Sequence, residues 1–153
     1  MSKTSLTMNP AVPPRDDILI KIEIATGYTF TNPVFCLKAL QTAGCATAGG
    51  QKSLAQVGDA ALRLALVTIG YGKGASRGQI DSALRTKASN SHLADQGFKR
   101  GFDGCVYRIG GVDVSMKMMA TAVQAVLGAV FLDCNKNMSV FLEVIEVLDL
   151  SWN

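Results

Sequence analysis

Apolar residues in this chain recur at helical rather than alternating spacing. The pattern is densest in Lys52–Tyr71, KSLAQVGDAALRLALVTIGY, where Leu54, Val57, Ala61, Leu64, Ala65 and Thr68 share a period of 3.6. Ala60, Leu62, Leu66, Val67 and Ile69 fill the remaining sides, so the spacing predicts a central helix over Leu54–Ile69, buried almost all round. Val114–Leu132 shows a second such pattern and is expected beside it, with Gly128 inside it. Asp59 lies in the middle of the first helix. An ionised carboxylate within a core costs several kcal/mol unless it is paired. Arg63, one turn on, is one available partner.

The remaining elements follow from punctuation. Residues 1–14 read as a disordered tail, and 15–153 as one domain. Asp16 or Asp17 is expected to cap a helix, Ile18–Thr26, that buries Ile18, Ile22 and Ala25 and ends at Gly27. Asn32 as N-cap and Pro33 as first helical residue open a helix, Val34–Thr42. Gly44–Gly50 reads as a small-residue linker, and Gly72–Gly78 as a loop without the spacing of a phosphate-binding loop. Short helices are expected at Gln79–Ala88 and at His92–Arg100, the latter capped from Ser89–Ser91. A turn at Gly101–Gly104 leads to a short extended piece, Val106–Ile109, broken by Gly110 and Gly111. A turn at Asn135–Asn137 precedes a last amphipathic helix, Ser139–Leu150. With no sustained alternation, the fold class is all-α.

Composition refines this picture. The chain has 153 residues and is 48% hydrophobic, enough for a core without disulfides or metal. Only 18% of residues are charged, so a weakly charged surface or an apolar patch covered by a second subunit is expected. A net charge of +3 permits an acidic partner without demonstrating one. Residues 1–14 lack the apolar segment of a secretion signal, and the longest apolar run, Met118–Leu132, reads as too short to span a membrane. An intracellular protein with reduced thiols at Cys36, Cys45, Cys105 and Cys134 is the expectation. Their spacing and the single histidine, His92, give no metal-ligand set.

Five segments, in order, resemble the catalytic domain of ribonuclease III, the double-strand-specific RNA endonucleases that include Dicer. Gly27–Leu40 is similar to that family's first helix pair. Leu54–Leu62, LAQVGDAAL, resembles its signature L-E-x-L-G-D-A-x-L. Leu84–Asp95, LRTKASNSHLAD, resembles the stretch with the Arg, the Ser-Asn pair and the following Leu-Ala. Lys117–Asp133, KMMATAVQAVLGAVFLD, resembles K-x-x-x-D-x-x-E-A-x-x-G-A-x-x-x-D, and Val140–Leu148 fits the final helix. The resemblance implies the ribonuclease III endonuclease-domain fold, a symmetric homodimer, and a valley between the paired signature helices that holds duplex RNA.

It also implies a chemistry that this chain departs from. Phosphodiester hydrolysis in the family uses Mg²⁺, which activates water and neutralises developing charge. A Glu and an Asp four apart on one helix, and an Asp and a Glu three apart on its neighbour, supply the carboxylates. Carried over position by position, the signature Glu falls on Ala55 and the Asp on Asp59; the second pair falls on Thr121 and Gln124. Asp59 alone is retained, with the family's lysine at Lys117. Neutral oxygens hold a hard dication poorly, so no metal site is expected. Asp59 is then a member of a structural network with Gln124, Lys117 or Arg63, a general base or ligand contact in a new role, or a residual metal ligand. Gln56 stands where the family places an aromatic residue that inserts into the partner subunit, so the pairing geometry is open.

Other candidates are weaker. Lys73, Arg77, Arg85, Lys87, Lys99 and Arg100 form either a phosphate-contacting surface or a solvated basic face. His92 and Asp95 share a helix face and are an acid–base pair or surface residues. Cys134 has no basic partner in sequence to activate it, and Asp133 matches a structural position. Two functions follow. One is a ribonuclease III-like domain that has lost catalysis and binds double-stranded RNA, a ribonucleoprotein or an active ribonuclease III subunit in RNA processing. The other is an enzyme whose emptied pocket acts on a small molecule; residual RNA endonuclease activity is a third possibility.

Overall fold

In a computed structural model, residues 15–42, 50–108, 110 and 112–153 are described. The expected tail, most of the Gly44–Gly50 linker, Cys45, Ile109 and Gly111 lie outside them. Among the described residues seven α-helices follow one another: α1 (Arg15–Thr26), α2 (Pro33–Ala39), α3 (Gly50–Gly72), α4 (Arg77–Lys87), α5 (Asn90–Lys99), α6 (Met116–Asp133) and α7 (Met138–Val147). A 3-10 turn, Phe102–Gly104, follows α5. The described residues contain no strand; an isolated bridge joins Gln41 and Tyr107, with Tyr107 N–H donating to the Leu40 carbonyl at 2.9 Å.

The all-α expectation holds, and the helix boundaries shift for identifiable reasons. Helix α1 begins at Arg15, so neither Asp16 nor Asp17 caps it from outside. Asn32 caps α2, accepting from Val34 N–H at 3.1 Å, with Pro33 in the first turn as expected. Helix α4 opens two residues early because Ser76 and Gln79 form a capping box. Ser89 caps α5, and Ser115 and Asn137 cap α6 and α7, through hydroxyl or amide oxygens that accept third-residue N–H groups.

Helices α3 and α6 form the centre. Helix α3 buries Leu54, Ala55, Gly58, Ala61, Leu62 and Ala65 on one side, where Leu54 and Gly58 meet α6. A Cβ on Gly58 would collide with the Gln124 carbonyl, and one on Gly128 with the Leu54 carbonyl. The two backbones therefore touch where glycine alone fits. Leu62, Leu66, Met119 and Leu127 close the core around this crossing, each contributing about 1.5–3 kcal/mol by burial. At 18 residues α6 is long and apolar enough to cross a membrane by length and composition, against the shorter run read from sequence. Its ten buried residues, packed among α2, α3 and α5, account for that composition as a core helix.

Helix α3 is not buried all round. Leu64 is 52% exposed, Val67 38% and Tyr71 83%, at spacings that align them on the side away from α6. Apolar content alone does not bury a face; no described element packs over this one.

Candidate functional site

The α3–α6 crossing places the carried-over positions together. Lys52, Ala55, Gln56 and Asp59, spaced by three, four and seven, line one side of an open depression of about 260 Å³; Thr121 and Gln124 on α6 line the other. Asp59 is therefore not inside the core. Its side chain is 36% exposed at the rim, because the helix turns it past the glycine contact toward solvent. Arg63 Nε donates to both of its oxygens, at 3.1 and 3.2 Å. Gln124 Nε2 makes a long contact of 3.4 Å to Oδ1. Thr121 is turned inward on its own helix, its hydroxyl donating to the Lys117 carbonyl at 3.0 Å, and the Lys117 side chain is exposed.

Lys52 was not singled out from sequence. Its signal was available: it lies three residues before Ala55 and seven before Asp59, on the same helical face. With Lys52 and Arg63 against a single carboxylate, the local balance is cationic. These residues do not fit a divalent metal, since the one carboxylate present is engaged by a guanidinium and its neighbours are an alanine, a hydroxyl and an amide. Among the described residues no three His, Cys, Asp or Glu side chains converge elsewhere.

The basic candidates and His92 lie on α4, α5 and the segments that flank them. Lys87 is buried, and its ammonium is directed at Asp149 Oδ1, 3.4 Å away. Lys73 is exposed in the connection from α3 to α4, and Arg77 and Arg85 are exposed on α4 itself. Lys99 and Arg100 lie at the end of α5, with Arg100 donating to Gln96 Oε1 at 3.3 Å. Lys87 is thus removed from any exposed basic face. The His92 ring is 2.8 Å from the Asp149 carbonyl rather than paired with Asp95.

Asp133 closes α6 onto the α1–α2 loop. Tyr28 Oη donates to it at 2.6 Å, Thr31 N–H at 2.8 Å and Asn32 N–H at 2.7 Å. Burial, and then the bond to Asp133, raise the Tyr28 hydroxyl above its ordinary pKa. The Cys134 thiol beside it is turned to the Phe131 and Asn137 carbonyls, with no base at hand. Burial pushes the Cys36 thiol up to about 12 and raises that of Cys105. Unreactive packing thiols result.

The fold is that of a ribonuclease III nuclease domain. The nuclease domain of ribonuclease III from Campylobacter jejuni superposes with a TM-score of 0.74 at 14% identity, covering 86% of this chain and 93% of that one. A second structure of that domain, concerned with structural flexibility in the region involved in dimer formation, gives 0.75 at 15% identity, covering 84% and 94%. No protein-family model matches the sequence, and no curated protein matches it.

Proposed function

We propose that this chain is a ribonuclease III-fold domain that binds without cutting. It works as a two-fold dimer associated with double-stranded RNA or a ribonucleoprotein, in RNA processing inside the cell. The observation that carries this reading is the occupation of Asp59 by Arg63, with Lys52 alongside. In the related fold the same positions are expected to gather carboxylates around Mg²⁺. Here the charge is reversed: two cations and one carboxylate attract a phosphate and repel a dication.

The exposed stripe Leu64, Val67 and Tyr71 supports the dimer. Apolar side chains aligned on one helix face lose least when a second copy covers them, and a two-fold axis lets one stripe serve both subunits. The Campylobacter domain also has a region involved in dimer formation. Gln56 is exposed at the helical spacing of this face, eight residues before Leu64, but is polar, so the proposed apolar contact rests on Leu64, Val67 and Tyr71.

Small-molecule catalysis is less well supported. The depression is shallow, open and about 260 Å³, below the size of pockets that enclose most of a ligand. Gel-shift titration with duplex RNA at two salt concentrations tests the binding reading. Saturable binding that weakens steeply with salt, and weakens further in Lys52→Glu, is expected. Binding no tighter than to an unrelated protein of equal charge contradicts it.

A further inference from the structure

A groove between α1 and the ends of α5 and α7 has a volume of about 630 Å³ and shares no lining residue with the depression beside Asp59. Its lining is of two kinds. Ile24 and Val147 form an apolar wall, and Ile24 is 77% exposed. Lys21, Lys99 and Arg100 add three cations, with no carboxylate in the lining. Among the described residues none of these cations forms an ion pair. The Arg100 guanidinium donates to the Gln96 amide, while its Nε is buried without a hydrogen-bond partner.

Lys99 and Arg100 stand at the carbonyl end of α5, where cations offset the helix dipole. That accounts for two of the three charges. It does not account for Lys21, which comes from α1, or for an isoleucine held in water beside them.

We infer that this groove docks an acidic, amphipathic segment of a partner protein. The segment's apolar side chains lie against Ile24 and Val147, and its carboxylates reach Lys21, Lys99 and Arg100. Guanidinium and carboxylate match in hydrogen-bond geometry as well as in charge, and an apolar helix face in a groove is a recurrent way of binding peptides. The chain's own first fourteen residues do not supply the complement, since Met1–Pro14 contains Lys3 and neither Asp nor Glu. A duplex RNA backbone would satisfy the cations and leave Ile24 and Val147 uncovered. Lys99 and Arg100 are thereby assigned to this groove rather than to an RNA surface.

The test pans a random library of displayed peptides of about 12 residues, some three helical turns, on the full-length protein. Recovered peptides are then titrated by fluorescence anisotropy against the parent, a Lys21→Glu/Lys99→Glu variant and an Ile24→Asp variant. All three substituted positions are exposed, and circular dichroism checks that the variants fold. Recovered peptides should combine Asp or Glu with Leu, Ile or Phe at helical spacing, and should lose about tenfold or more in affinity with each variant. No enrichment, basic peptides, or binding indifferent to both variants overturns the inference. A parallel titration with duplex RNA overturns it in favour of nucleic acid if the double charge reversal weakens RNA and leaves the peptides unaffected. Dissociation of the parent's oligomer by Ile24→Asp overturns it in favour of a second copy.

Discussion

Gly58 on α3 and Gly128 on α6 meet backbone to backbone: a Cβ built on Gly128 would stand 3.0 Å from the Gly58 nitrogen and collide with the Leu54 carbonyl. This contact fixes how close the two central helices come, and so the separation of Asp59 from Gln124 at the rim. Alanine at either glycine forces the helices apart. Gly58→Ala and Gly128→Ala are each expected to destabilise the domain by about 3 kcal/mol or more, or to prevent folding, as measured by urea denaturation. A loss below about 0.5 kcal/mol would mean that the helices can separate without repacking the core.

Asp59 should matter little to stability. Arg63 is exposed and Asp59 about a third exposed, one helical turn apart, an arrangement worth only a few tenths of a kcal/mol. A buried carboxylate would have cost about 1–3 kcal/mol on truncation. Asp59→Ala is therefore expected to shift stability by less than about 1 kcal/mol, with Asp59→Asn closer still to the parent. A thermal melt of Asp59→Ala that falls by many degrees would show that the carboxylate supports the core.

This difference marks where sequence reading stopped. Local chemistry was legible: Asn32 and Pro33 open α2, Gly27 ends α1 with a positive φ of 73°, and the 3.6-residue period identifies both central helices. The register of Ala55, Asp59, Thr121 and Gln124 was legible through the family resemblance, and the structure places all four around one depression. The direction Asp59 faces was not. Alanines and leucines surround it on the helix, yet burial is decided by which neighbours pack, and nothing described covers the face of Leu64 and Tyr71. Lys87 failed in the opposite sense: it sits in a polar stretch of sequence and is buried by the chain's end folding back through Asp149.

The proposed dimer makes a prediction on that same uncovered face. Sedimentation at micromolar concentration should show a dimer for the parent and a monomer for Leu64→Asp, with helix content unchanged because Leu64 is exposed within the subunit. A parent that sediments only as a monomer, or a Leu64→Asp variant that still dimerises, would remove the stripe from the interface.

Stability should fall in alkali. The Cys36 thiol, ordinarily near 9.0, is pushed up to about 12 by burial, so the folded chain holds this proton after the unfolded chain has released it. The stabilisation is complete below pH 9 and is lost as the pH rises toward 12, at a slope of about 1.4 kcal/mol per pH unit for one group. Tyr28 acts in the same direction. Denaturation curves across this window should be less steep in pH for Cys36→Ala than for the parent. An unchanged slope would assign the alkaline loss to other groups.

The central claim is that the site between α3 and α6 binds without cutting, and incubation of purified protein with labelled duplex RNA and Mg²⁺ tests it most directly. The account predicts no cleavage above a protein-free blank, with duplex binding retained in the same tubes. Cleavage by the parent that falls when Asp59 is changed to Asn would contradict it and would establish Asp59 as part of a working metal site.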